Sequence, residues 1–378
     1  MKAIKNIKLI TEDGVEENKS VVFDQQIKEI IPENQIRPGV EIIDVGGAYL
    51  SAGFIDLHIH GCAGYDVMDD DDQALSSIAD QLVKTGVTAF LPTTMTMEFP
   101  RINRALERIK KAMNNSVGHA QILGCNLEGP FLSKKYKGAQ DERYVIQPDF
   151  ELVRPFLDVI RLITIAPEEE GSIDFIEQAV KSGTVVSIGH SNATFEEAVK
   201  GIEAGASHIT HLFNAMTPLH HRNPGVVGAA MLHDVTCELI ADNIHVDPAV
   251  QKILLKVKGI DKIILITDAM RACLLEDGEY DLGGQRVFVA DHQARLSNGK
   301  LAGSVLRMNE AIRNFMKNTK IKIEDAVKMA TINPAKIIGM EKKKGSITPG
   351  KDADLVVLDE DFNVMMTIIG GEVVYSEI

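Results

Sequence analysis

The side chains best suited to chemistry in this chain are His58, His60, Glu128, His190, His211 and Asp268, because each stands at the end of an apolar run. Burying a polar group there is costly unless it meets a partner. In Asp56-Leu57-His58-Ile59-His60 the two histidines are two residues apart, so on a strand both rings point to the same side. Alone, such a pair serves a buried hydrogen-bonded structure as readily as a metal. Glu128 closes the run Gln121–Glu128 ahead of Gly129-Pro130-Phe131, and needs either a cation or an ionic lock to Lys134 or Lys137. His190 follows Ser187-Ile188-Gly189 and His211 follows His208-Ile209-Thr210, each with small or polar residues behind it. Together, Glu128, His190 and His211 match the two-histidine, one-carboxylate set of a catalytic zinc or iron site with open positions. Asp268, after Ile263–Thr267, is placed to take a proton from an activated water and pass it to a leaving group. The plainer reading of Asp268 is a helix cap. No GxSxG, GxGxxG or GxxxxGKS occurs, so a serine nucleophile elbow, a dinucleotide fold and a P-loop have no support.

Side chains at the ends of so many apolar runs call for a scaffold that gathers strand C-termini at one face. Between Ser51 and Lys344 there are eight candidate strands: Gly53–His60, Thr88–Pro92, Gln121–Glu128, Ile160–Ile165, Val185–His190, His208–His211, Thr236–Ala241 and Ile263–Thr267. Helical periodicity falls between most of them, at Gln73–Thr85, Arg101–Ala112, Ile173–Lys181, Thr194–Ala204 and Pro248–Val257. The pattern predicts an α/β fold, a TIM-type (β/α)8 barrel with its site at the C-terminal ends of the strands. Met270–Ala302 is too long for an ordinary βα loop and predicts a β-hairpin insertion over the mouth, with a helix from near Leu306.

Both chain ends are β-rich: Ala3–Ile10, Lys19–Phe23 and Gln26–Ile31 at one, Asp354–Leu358, Val364–Ile369 and Glu372–Tyr375 at the other. Gly370-Gly371 has the spacing of a tight hairpin. Neither end has strands enough to fold alone, so residues 1–50 and 345–378 predict one small composite β-sandwich domain, with the barrel over 51–344.

Composition narrows the partners. The chain is 45% hydrophobic and 25% charged without tryptophan, ordinary for a globular protein. A net charge of −14 repels nucleic-acid phosphates. No run approaches 18 apolar residues, and the lysine-studded N-terminal segment lacks an apolar signal region, which argues against membrane and secretion. Cys62, Cys125, Cys237 and Cys273 show no CxxC spacing and predict reduced thiols in the cytoplasm.

With these residues set out, the chain resembles the amidohydrolase superfamily and, within it, the N-acetylglucosamine-6-phosphate deacetylases. The resemblance rests on Gly53–Gly61, Leu127-Glu-Gly-Pro-Phe-Leu132, Gly189-His-Ser-Asn-Ala-Thr194, Thr210-His-Leu-Phe-Asn-Ala-Met216, Thr267-Asp-Ala269, Leu301-Ala-Gly-Ser304 and the more general Gly345–Leu355. It implies hydrolysis of the acetamide of N-acetylglucosamine 6-phosphate to glucosamine 6-phosphate and acetate, in amino-sugar metabolism. It further implies one or two divalent ions, zinc or iron. Glu128, His190 and His211 would hold the principal ion, His58 and His60 would support a second, and Asp268 would be the acid/base. Substrate contacts would come from Ala139, Gln140, Asn214, Ala215, Arg222, His245, Leu301, Ala302 and Gly303, with Arg222 reaching the mate's site in a homodimer. Three departures stand out: Gln140 where many members carry a histidine, Asn243 for a commoner glycine, and Arg307 for a commoner threonine. Rival readings are a deacetylase of N-acetylgalactosamine 6-phosphate, a dihydroorotase-like enzyme and a silent binding protein. The second lacks its bridging lysine, since Ile160–Pro167 has none, and the third is disfavoured by retention of the whole ligand set and Asp268.

Overall fold

The computed structural model describes residues 1–113 and 119–378. Its centre is a curled parallel sheet of strands β1 (Phe54–Ile59), β2 (Val87–Pro92), β3 (Cys125–Glu128), β4 (Ile160–Ile165), β5 (Val185–Ile188), β6 (His208–Ile209), β7 (Thr236–Ile240) and β8 (Ile263–Ile266). Strands β3 to β8 pair in sequential order, and β1 pairs with β2. Parallel bridges from Thr93 to Asn126 and from Ile59 to Ala269 carry the ladder from β2 to β3 and from the end of β8 back to β1. Every residue of β1, β2, β3 and β8 is buried, which is why these strands read as unbroken apolar runs.

Several strands are shorter than the sequence pattern predicts, and two of them show why. The run Gln121–Glu128 divides at Gly124, whose φ of 146° leaves Gln121–Ile122 on β2 while Cys125 starts β3 beside β4. A Cβ at Gly124 would meet the Arg161 side chain at 2.3 Å and the Val159 carbonyl at 2.8 Å, so the break requires glycine. In β6, His211 has a φ of 28° and has left the extended conformation by the point where its ring is needed.

The expected helices form at Ala74–Leu82, Phe99–Ala112, Ser172–Lys181, Phe195–Glu203 and Pro248–Lys258. Phe195–Glu203 begins with a capping box in which Thr194 accepts from the Glu197 N–H and Glu197 accepts from the Thr194 N–H. Pro248 occupies a first-turn position behind the Asp247 cap. Beyond β8 the predicted hairpin gains a strand: Gly278–Leu282, Gln285–Ala290 and Gln293–Leu296 make a three-stranded antiparallel meander, followed by helix Met308–Thr319.

The two chain ends share one sheet, in the order Glu372–Ser376, Val364–Ile369, Leu355–Leu358, Glu41–Ala52, Lys2–Ile10, Lys19–Phe23, Ile27–Pro32. Glu41–Ala52 joins the halves: it runs parallel to Lys2–Ile10 with a register shift near Gly46 and Gly47, and its last residues pair with Leu355–Leu358. One core, including Ile4, Phe23, Leu50, Leu355 and Ile368, draws on both ends of the chain. The tight turn forms at Gly370-Gly371 with φ of 55° and 81°, as its type demands. Buried Lys344 enters this unit by pairing with Asp354 at 2.5 Å and Asp352 at 3.1 Å.

Candidate metal centre

The strand ends bring the six side chains together. His58 and His60 lie on β1 and at its end, Glu128 is the last residue of β3, and His190, His211 and Asp268 each stand two residues beyond β5, β6 and β8. All six are buried. His190, His211 and Asp268 have φ of 49°, 28° and 50°, a left-handed conformation that costs about 1–2 kcal/mol for a residue with a Cβ. Neighbouring hydrogen bonds hold them there. The Asp268 N–H donates to the His58 carbonyl at 2.9 Å, the His190 carbonyl accepts from the Ser133 N–H at 2.8 Å, and the His211 N–H donates to Glu238 Oε2 at 3.0 Å.

Glu128 lies at the middle. Its Oε1 is 3.0 Å from Nε2 of both His190 and His211, and those two nitrogens are 3.1 Å apart. Its Oε2 is 3.3 Å from His60 Nε2, which is 3.3 Å from Asp268 Oδ1 and 3.3 Å from His58 Nε2. The ligand atoms of Glu128, His190 and His211 all lie within 4.8 Å of one another, as do those of His58, His60 and Asp268.

The outer nitrogens of three rings show that these clusters fit a divalent cation. His58 Nδ1 faces Glu238 Oε2 at 3.0 Å, His60 Nδ1 faces the Thr93 carbonyl at 3.2 Å, and His190 Nδ1 faces the Tyr136 carbonyl at 3.1 Å. Each partner accepts, so the Nδ1 hydrogen is committed outward and the neutral ring turns its Nε2 lone pair inward. Three lone pairs converging beside two carboxylates call for a positive charge. Among the side chains alone, protons fill that role. Burial disfavours charge on His60, yet Asp268 and Glu128 outweigh it and raise its pKa to about 9. Burial likewise opposes ionisation of Glu128, but His58 and His190 hold its carboxyl well below the usual range. Asp268, against the same burial, is lowered by His60 and His58.

A cavity of about 360 Å³ opens over these groups, within the size range of small-molecule sites. Ala139, Gln140, Asn214, Ala215, His245, Leu301 and Gly303 line it, while Ala302 between the last two is buried. His245 is held by its Nδ1 against Asp242 Oδ2 at 2.6 Å. Arg222 does not line this cavity; it is exposed in a separate depression with Thr194 and His220, its Nη1 2.7 Å from His221 Nε2. Asn243 contacts Gln251 and Asn318 through its Oδ1, and Arg307 starts helix Met308–Thr319.

Three contributors escaped the sequence reading. Glu238 is fully buried on β7 and gathers His58 Nδ1, His208 Nε2 at 3.3 Å and the His211 N–H. Its signal was present, an acid inside the apolar run Thr236–Ile240. Arg295 and Lys300, from the meander after β8, bring positive charge to the cavity, and lie in the segment already expected to cover the mouth.

Comparison with known proteins agrees with this geometry. The amidohydrolase family profile matches residues 49–374. The chain is 42% identical over 376 residues to N-acetylglucosamine-6-phosphate deacetylase of Lysinibacillus sphaericus, covering 98% of this chain and 97% of that one. It is 35% identical over 372 residues to N-acetylgalactosamine-6-phosphate deacetylase of Escherichia coli O157:H7, covering 97% of each. Among solved structures, an aspartate-to-alanine mutant of N-acetyl-D-glucosamine-6-phosphate deacetylase from Mycobacterium smegmatis, in complex with N-acetyl-D-glucosamine-6-phosphate, superposes with a TM-score of 0.92 at 29% identity, covering 99% of each chain.

Proposed function

This chain belongs to the amidohydrolase family and, within it, to the N-acetylglucosamine-6-phosphate deacetylases, and from that premise we propose that it hydrolyses N-acetylglucosamine 6-phosphate to glucosamine 6-phosphate and acetate. The observation that carries the reading is Glu128 Oε1, 3.0 Å from two histidine nitrogens at the floor of a cavity that Asp268 also lines.

Glu128, His190 and His211 would hold the principal divalent ion, zinc or iron, and His58 and His60, with Asp268 beside them, would support a second where one binds. Such an ion polarises an amide carbonyl and makes water a nucleophile at neutral pH. The protein's own part is positional and protonic. Asp268, kept ionised by the rings beside it, accepts the proton from the attacking water and delivers it to the amide nitrogen. The new C–O bond and the broken C–N bond then leave acetate and a free amine. His245, fixed by Asp242, offers its remaining ring nitrogen to a sugar hydroxyl, and Asn214, Ala215, Leu301, Ala302 and Gly303 shape the walls with Ala139 and Gln140. The family resemblance implies that the phosphate is met by Arg222 of the partner subunit in a homodimer, and within one chain Arg222 lies outside the cavity. Its planar fork suits a phosphate.

The architecture that fits this reading is a closed (β/α)8 barrel over 51–344, supported by the Ile59–Ala269 bridge, with 1–50 and 345–378 joined in one β unit around their shared sheet rather than in the two packed sheets of the expected sandwich. Four free, buried cysteines support a cytoplasmic setting, and no helix among the described residues is long and apolar enough to cross a membrane.

A second reading, the galacto epimer as substrate, is favoured by the relative that bears that name. Acetate release from the gluco and galacto 6-phosphates and from unphosphorylated N-acetylglucosamine separates the cases. The proposal expects kcat/KM highest for the gluco phosphate; a higher value for the galacto phosphate replaces it with the second reading.

A further inference from the structure

Gln140 stands on the loop after β3 with almost all of its surface buried, and every polar atom of its amide is committed within the protein. Its Oε1 accepts from the Thr96 backbone N–H at 2.7 Å. That contact fixes which end of the amide is oxygen, since a backbone N–H can only donate. The Nε2 end then points at Glu128 Oε2, at 2.7 Å, with Met95 Sδ at 3.5 Å on its other side. No hydrogen remains for a substrate carbonyl.

We propose that Gln140 is a positioning residue for the metal ligand Glu128: anchored by Thr96, it holds Oε2 and so fixes Oε1 between His190 and His211. Three observations support this beyond the hydrogen bond. Glu128 Oε1 lies 3.0 Å from both rings, the placement that holding Oε2 would preserve. The clamp is neutral, so it orients Glu128 without neutralising the charge that attracts a cation. The loop is itself pinned: Gly138 passes so close to His190 that a Cβ would meet its Cε1 at 3.1 Å, and Gln285 of the meander donates to the Ala139 carbonyl. Outer partners of metal ligands typically govern affinity by about 10–100-fold.

The inference rests on the metal-dependent reading of the site, and its test uses no substrate, so failure of the deacetylase assignment and failure of this role are distinguishable. In a His60→Asn background, which removes the His58–His60–Asp268 cluster, Zn²⁺ affinity is measured by competition with a chromophoric chelator, alongside thermal melting of the metal-free protein. Gln140→Met keeps the volume but cannot donate, and is expected to weaken Zn²⁺ binding by about tenfold; the Thr96 N–H it leaves unpartnered lowers the metal-free melting temperature, and a cooperative melt shows that the variant is folded. Gln140→Asn, whose amide is one methylene too short to span both partners, should show the same loss and serves if the methionine variant does not fold. Zn²⁺ affinity within about twofold of the parent in the folded variant, whatever the melting temperature does, would overturn the proposal.

Discussion

On the proposed reading Glu128, His190 and His211 hold one ion together, so the loss of any member should be felt first as lost metal. His190→Asn or His211→Asn is expected to weaken Zn²⁺ binding by more than roughly a hundredfold, beyond the effect of an outer partner, as read by chelator competition. Arg222→Ala should behave oppositely: exposed and remote from the rings, it leaves Zn²⁺ affinity unchanged and raises KM chiefly for the phosphorylated sugar. Equal losses for phosphorylated and unphosphorylated sugar would give Arg222 a structural role instead. Residue types and spacing made all six central side chains legible, because polar groups ending apolar runs are conspicuous. The roles of Glu238 and Gln140 were not legible, because what they do depends on contacts across more than one strand or loop. Glu238 meets His58, 180 positions away, and Gln140 meets Thr96, 44 positions away.

The capping box of helix Phe195–Glu203 starts immediately after the His190 loop, so it anchors the chain that leaves the metal centre. Thr194→Ala is expected to cost about 1 kcal/mol, measured by the denaturant midpoint, with metal affinity preserved. Unchanged stability would mean that tertiary packing alone holds this helix start. Hydrophobic periodicity located five of the barrel helices within a few residues and all eight strands, since burial is written into the sequence, but it missed Gly225–Leu232, which is apolar all round, and Ile323–Lys328 and Ile332–Ile337. The division at Gly124 was invisible because a single glycine does not announce that its φ is 146° or that Arg161 lies against it. The third strand of the meander was missed for a related reason: Gln293–Leu296 is short and half polar, and gains its pairing from Gln285–Ala290 and from the bridge of Arg295 to Leu301.

Across the whole molecule, the two chain ends depend on each other through Glu41–Ala52, and buried Lys344 braces the C-terminal half by pairing with Asp354. Removing one partner of a buried ion pair leaves the other charge stranded, so Lys344→Ala should destabilise the protein by about 3–5 kcal/mol. A denaturant midpoint equal to wild type would show that the C-terminal strands hold their place without it. The net charge of −14 also takes on meaning at this scale. The proposed substrate is an anion, so its capture would rest on local positive charge, from Arg295 and Lys300 at the cavity, from Arg222 of the partner subunit and from the bound ion, rather than on the field of the whole protein. The central claim is that Asp268 carries the proton in metal-dependent deacetylation of N-acetylglucosamine 6-phosphate. The most direct measurement is acetate release by Asp268→Asn, loaded with metal to the same level as wild type and saturated with that sugar. The account predicts retained substrate binding with kcat lowered by about 10²–10⁴-fold; acetate release at the wild-type rate would contradict it.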